Sequence, residues 1–165
     1  MSEVADTPNG PRPAQPARLG VVGRPGGAAL RRYGTVASVL MLDLDGLKAV
    51  NDHRGHAAGD AVLARTGRVL QGAVRTTDVV ARLVGDEFAV LSVETDQGAA
   101  AEERARLQAL LDAAGVPASI GVATRGAGLG LPEACAAADA DMYQAKQGRV
   151  GAPGHGGDRS GPGRE

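Results

Sequence analysis

The chain has 165 residues, 18 Lys and Arg against 19 Asp and Glu for a net charge of -1, and 25 glycines. That length supports one domain with a modest core. The balanced charge, with no dense Lys/Arg run, argues against a nucleic-acid or membrane-surface partner. The aromatics are Tyr33, Phe88 and Tyr143, so the core falls to Val, Leu, Ile and Ala and marginal stability is expected. The single cysteine, Cys135, rules out an intrachain disulfide framework. No stretch approaches the roughly 18 apolar residues of a membrane span, and the first residues lack a signal peptide's charged start and apolar centre. A cytoplasmic location is expected.

Residues 1–28 are rich in Pro, Gly and Ala without periodicity and 150–165 repeat that character. Both are expected to be disordered, flanking a domain over 29–149. The domain begins with a strand at 35–43, a short helix at 46–51 and a longer one at 57–73. Two apolar runs, 79–83 and 89–93, form a hairpin, with Val80, Arg82 and Val84 sharing one face and Phe88, Val90 and Ser92 another. A helix at 97–114, a strand at 118–123 and a helix at 132–147 follow. Pro132 suits the first turn of that last helix and Gly148 its stop. Within it Cys135 joins Leu131, Ala138 and Met142 in an apolar stripe, as a buried structural thiol. The order βααββαβα suits an α/β (α+β) sandwich of helices on a mainly antiparallel central sheet. Glycine-rich pieces at 20–27 and 126–130 fit neither phosphate-loop pattern and read as loops.

The chemistry concentrates at the hairpin tip, Val84-Gly85-Asp86-Glu87-Phe88. Gly-Asp suits a tight two-residue turn because both central residues can take φ > 0. Adjacent carboxylates there can hold a hard cation or do acid/base work, or form an ordinary solvated acidic turn. A second acidic group, Asp43 and Asp45, closes the first strand; period two places both on one face, while Asp45 by itself reads as the cap of the following helix. Next come Asn51, His53, His56, Gly59 and Asp60. Asp60 can accept from the amino and imino edge of a guanine, and Asn51 offers a donor and an acceptor to the same ring. Singly, both are common turn and helix-start residues. His53 and His56 make a weak metal pair, since no third soft ligand is near in sequence. Arg75-Thr-Thr-Asp78 can be a surface ion pair.

Taken together, these residues resemble the GGDEF family, the diguanylate cyclase domains that join two GTP molecules into the signalling nucleotide cyclic di-GMP. The resemblance covers 36–149. It rests on Asp-Leu-Asp-Gly-Leu-Lys-Ala-Val-Asn-Asp (43–52), Gly55-His56, Gly59-Asp60, Arg75-x-x-Asp78, Arg82-x-x-Gly-Asp-Glu-Phe, Ser119-Ile-Gly-Val and Ala138-Asp-x-x-Met-Tyr-x-Ala-Lys. It implies a nucleotidyl-cyclase-like fold in which Asp43, the Leu44 carbonyl and Asp86 hold Mg²⁺ or Mn²⁺. Glu87 and Asp86 take catalytic positions with Lys146, which holds phosphate oxygens. Asn51 and Asp60 select guanine, and Lys48, Gly85 and Arg149 complete the substrate set. Arg75 and Asp78 match an inhibitory site for the product, with Arg82 as an added donor. Because each domain holds one GTP, an active form implies a homodimer.

Four departures from the family pattern carry expectations of their own. Val84 replaces the signature's first glycine, which is costly for a β-branched residue if φ is positive there. The family's opening Asp-x-Leu-Thr-x-Leu-x-Asn-Arg is missing, Leu47 replaces a Phe, and Ala145-Lys-Gln-Gly-Arg149 is one residue short. One residue turns a helix by about 100°, which would swing Arg149 off the phosphate. An alternative reading follows: a catalytically silent receptor for cyclic di-GMP at Arg75-x-x-Asp78, or for GTP at the former active site.

Overall fold

The structure, a computed structural model, describes residues 20–21, 36–125 and 130–150, and the side chains of all these except 20, 21 and 150. Its elements are β1 Gly20–Val21, β2 Ala37–Leu44, α1 Leu47–Arg54, α2 His56–Ala73, β3 Val79–Arg82, β4 Glu87–Val93, α3 Gln97–Ala113, β5 Ala118–Arg125 and α4 Leu131–Val150. From β2 onward this is the order read from sequence. Every strand pairing is antiparallel, and the sheet runs β1-β3-β4-β2-β5.

β2 lies between β4 and β5 and is covered on both faces, which is why it reads as a nearly unbroken apolar run rather than an alternating one. On one face Leu40, Leu42 and Leu44 meet Phe88, Val90 and Ile120 under Leu47, Leu70, Leu107 and Leu111. On the other, Val39 and Met41 lie under Ala134, Ala138 and Met142 of α4, with Leu131 and Cys135 at the margin. Leu47 therefore spends its side chain in the core. Burial pushes the Cys135 thiol up from its usual pKa, as suits a structural thiol.

One contact sets the height of α4 above the sheet. A Cβ on Gly121 would collide with the Ala138 carbonyl and the Met142 backbone, reaching within 2.6 Å of the Met142 Cα. Only glycine lets the α4 backbone lie on β5 there. Asp141 of α4 then takes the Val122 N–H at 2.9 Å and Arg104 at 3.5 Å.

Gly20–Val21, expected within an unstructured segment, instead pair with Arg82 and Ala81 and extend the sheet by a short edge. The remainder of 1–28 and the tail beyond 150 lie outside the described residues, as do 126–129 of the second glycine-rich piece. α4 runs through Gly148 to Val150, so that glycine does not end it. Among the described residues no helix is long and apolar enough to cross a membrane.

Candidate active site

Two strand registers assemble an acidic corner at one end of the sheet. Asp43, next to last in β2, pairs with Glu87 at the start of β4 and with Ser119 at the start of β5. Odd-numbered β2 residues face α4, so Asp43 meets that helix, and Lys146 Nζ donates to its Oδ1 at 2.6 Å. The hairpin tip closes on the same corner: the Leu44 N–H donates to the Asp86 carbonyl at 3.2 Å.

The tip is the two-residue Gly85-Asp86 turn read from sequence, with a different backbone at Asp86. Gly85 is the turn residue with positive φ, at 64°, whereas Asp86 is not left-handed. The Glu87 N–H donates to the Val84 carbonyl at 3.1 Å, and the Glu87 carbonyl accepts from the Leu83 N–H at 2.8 Å. Two residues thus oppose one, an extra residue of the kind that bulges a strand and re-aims its neighbours. Val84 falls outside the ladder, without positive φ and 75% exposed. The valine imposes no left-handed strain, and the expected alternation Val80, Arg82, Val84 ends at Arg82. Arg82 lies across the tip and donates Nε and Nη2 to the Gly85 carbonyl at 3.1 and 2.9 Å.

Charge at this corner is unevenly balanced. Burial raises the pKa of Asp43; the Lys146 hydrogen bond and charge oppose the rise, and Asp86 and Asp45 add to it. Burial also raises Glu87, followed by the charges of Asp43, Asp139 and Asp86, with Lys146 opposing. For Lys146 burial works the other way, but the Asp43 hydrogen bond and charge, with Asp45 and Asp86, carry its pKa above the usual lysine value. Asp139 was not read from sequence as a site residue; the available signal was its position seven residues before Lys146, two turns along one helix face.

Asp45 does not cap α1. Gly46, with φ 79°, occupies the N-cap without a side-chain hydrogen bond. The Asp45 carboxylate instead accepts from Ser119 Oγ at 3.2 Å and Arg149 Nη1 at 3.4 Å. Arg149 Nη1 also donates to the Ala118 carbonyl at 2.7 Å. The shortened end of α4 brings Arg149 to the corner, where its guanidinium bonds Asp45 and β5.

Around Gly55, with φ 81°, α1 turns directly into α2. Asn51 lies near the end of α1 against the buried Gly59, with exposed Asp60 one residue on. Asn51 Oδ1 is buried against Gly59 without a hydrogen-bond partner, which leaves Nδ2 as the end of the amide that a base could reach. Lys48 is exposed on α1. His53 Nδ1 bonds the Ala49 carbonyl at 2.8 Å, and no cluster of three His, Cys, Asp or Glu poised for a metal is found among the described residues. The His53–His56 metal pair has no support.

At the other end of β3, Asp78 is held by three donors. Its Oδ2 accepts the Arg75 N–H at 3.0 Å, and its Oδ1 accepts the Val93 N–H at 3.1 Å and Thr77 Oγ1 at 3.5 Å. Arg75 and Asp78 form no ion pair, the plainer of the two readings their spacing allows. The Arg75 side chain is exposed and without a partner among the described residues. Arg82 stands three strand residues beyond Val79, about 10 Å away at the rise of a β-strand. Its bonds to Gly85 place it in the tip rather than at the Arg75 turn.

Comparison with known proteins gives a consistent relationship. The family model described as "Diguanylate cyclase, GGDEF domain" matches residues 26–151. The diguanylate cyclase TpbB of Pseudomonas aeruginosa is 50% identical over 62 residues, 38% of this chain and 14% of TpbB. The chain spans less than a fifth of the first curated relatives it matches. A sensory box/GGDEF family protein from Caulobacter crescentus superposes with TM-score 0.64 at 39% identity, over 73% of this chain and 86% of that one. A microbial GGDEF domain solved for its interaction with cyclic di-GMP gives TM-score 0.65 at 34% identity, over 73% and 77%. With its sheet order, acidic hairpin tip and family match agreeing, the chain belongs to the GGDEF domain family of diguanylate cyclases.

Proposed function

We propose that this domain condenses two GTP molecules into cyclic di-GMP in the cytoplasm, releasing pyrophosphate. The observation that carries the reading is the meeting of Asp43, Asp86 and Glu87 with Lys146 at one end of the sheet. The donor chemistry is that of a divalent-cation site, oxygen ligands from two carboxylates and a carbonyl, although among the described residues no three carboxylates converge on one metal position in the free protein. Asp43, Asp45, Asp86 and Glu87 supply four carboxylates against the two cations Lys146 and Arg149, an excess of two negative charges. Carboxylate and carbonyl oxygens are the ligands that Mg²⁺ and Mn²⁺ prefer, and Asp43, Asp86 and the Leu44 carbonyl would hold the ion. When bound, it would lower the pKa of the attacking 3′-hydroxyl and offset charge on the leaving pyrophosphate.

The protein's own groups do the rest. Asn51 and Asp60 hold the guanine edge, Lys48 lies on the exposed side of α1 nearby, and Lys146 offers its ammonium to phosphate oxygens. Glu87, with its raised pKa, is suited to take the proton of the 3′-hydroxyl as that oxygen bonds the α-phosphorus and the α–β bridging bond breaks. Gly85 keeps the tip backbone open to the nucleotide. Two domains must face each other, each with one GTP, so the working unit is a homodimer. Val84 does not stand against this, being exposed and without positive φ.

A specific observation also favours product binding at the Arg75 turn. The Arg75 guanidinium is exposed beside a carboxylate that its own backbone holds in place, and a planar guanidinium suits a phosphate or a guanine edge. This supports feedback inhibition in an active enzyme, or a receptor role in a silent one.

Incubation with GTP and Mg²⁺ followed by chromatography of the nucleotides tests the proposal. Cyclic di-GMP is expected from the parent, with Glu87→Gln slower by about 10²–10⁴-fold. Binding of cyclic di-GMP with no turnover would replace the enzyme by the receptor.

A further inference from the structure

Glycine inside a helix costs about 1 kcal/mol relative to alanine, so each helical glycine invites the question of what it makes room for. In α2, a Cβ on Gly67 or Gly72 would meet nothing within 4 Å. Gly59 in the same helix is different: a Cβ there would collide with Asn51 Oδ1 and come within 2.8 Å of its Cγ and 3.2 Å of its Nδ2. The Asn51 amide lies against the bare Cα of Gly59, in the space a methyl group would occupy. It is held there although its buried oxygen has no hydrogen-bond partner, an arrangement that costs the free protein stability.

We propose that Gly59 is a specificity-setting positioning residue, whose missing side chain seats the Asn51 amide beside Asp60 so that the two read a guanine base together. This rests on the assignment of Asn51 and Asp60 as base contacts. The chemistry favours a purine carrying an exocyclic amine: guanine offers its 2-amino and imino hydrogens to the Asp60 carboxylate, while the Asn51 amide, its oxygen packed against Gly59, presents its Nδ2 donor to the acceptor edge of the ring; hypoxanthine lacks the amine. Any side chain at position 59 lifts the amide off α2 and separates the two readers, while leaving the acidic corner and the Arg75 turn untouched.

The test is calorimetric binding of α,β-methylene GTP and its inosine counterpart, which resist the bond cleavage, with Mg²⁺ present. The parent is expected to prefer guanine by about tenfold, the worth of one good hydrogen bond. Gly59→Ala should lose that preference and bind the guanine analogue about tenfold more weakly, with cyclic di-GMP binding unchanged. In an Asn51→Ala background the wedge is gone, so Gly59→Ala should have no further effect on preference and should raise the Tm through helix propensity. If Gly59→Ala alone fails to fold, the double variant must recover the fold. Retention of guanine preference by Gly59→Ala, or equal effects in both backgrounds, overturns the inference. A parent chain that binds neither analogue overturns the assignment of the nucleotide site itself and the inference with it.

Discussion

The two ends of the β3–β4 hairpin are built on opposite plans. At the tip, Asp43, Asp86 and Glu87 share one nearby ammonium, Lys146, supplied by a helix that reaches the corner only because α4 lies directly on Gly121. At the other end the carboxylate is held by backbone: Asp78 accepts from the Arg75 and Val93 N–H groups, and the Arg75 guanidinium is left exposed. The tip is thus a tertiary assembly of groups distant in sequence. The Arg75 turn is the more local arrangement, with the held carboxylate and the exposed guanidinium three positions apart, although Val93 of β4 also donates to Asp78. A ligand arriving at the tip must displace or join existing ion pairs, whereas one arriving at Arg75 finds an unpaired donor.

The largest expected separation between the two ends comes from Gly121→Ala. Overpacking at such a contact typically costs about 1–3 kcal/mol, and here the displaced element carries Lys146 and Arg149. Denaturant unfolding should show the loss, and GTP binding should weaken while cyclic di-GMP binding at the Arg75 turn persists. Loss of both in a folded variant would show that the ends are coupled.

Substitutions at the turn itself sharpen the contrast. Asp78→Ala strips acceptors from two backbone N–H groups and should cost about 1–2 kcal/mol. Arg75→Ala should leave thermal stability within about 0.5 kcal/mol of the parent yet abolish cyclic di-GMP binding. If Arg75→Ala destabilised the fold as much as Asp78→Ala, the division into a structural carboxylate and a binding guanidinium would be wrong.

The pH dependence should belong to the tip. Asp43 and Glu87 have raised pKa values, so each holds its proton to higher pH in the folded than in the unfolded chain. Folding therefore binds protons there, and their contribution to stability falls as pH rises from the ordinary carboxylate range through the raised values. Relative to an Asp43→Asn, Glu87→Gln variant, the parent should lose Tm between about pH 4 and the neutral range. Mg²⁺ should restore it at neutral pH but not near pH 4. A flat difference curve would mean that the corner carries no excess charge. The smallest effect is expected from Val84→Gly: with the valine exposed and outside the ladder, its removal should change turnover by less than tenfold, a limit that a kinetic comparison checks.

Much of this molecule was legible in one dimension. Alternation at 79–83 and 89–93, the apolar run of β2 and the Pro132 start of α4 are signals of local period and turn chemistry, and they placed the strands and helices to within a few residues. The acidic and arginine positions of the motifs are visible there too, because their spacing within each motif is short. Partners are less legible: Asp45 by itself reads as a helix cap but faces Ser119 and Arg149, and in the free protein Arg82 lies on the Gly85 carbonyl and Arg149 on that of Ala118. Gly59, Gly121 and Asp139 stand inside the motifs, but nothing local in the sequence marks the contacts they make. By itself the sequence determined which residues could do chemistry and on which elements they stand, because backbone period and turn preference are local properties. Only the tertiary structure decided which of them meet, because the Asp43–Lys146 and Asp45–Arg149 pairs cross more than a hundred residues and depend on how closely α4 settles on β5, a distance set by the absence of a side chain at Gly121.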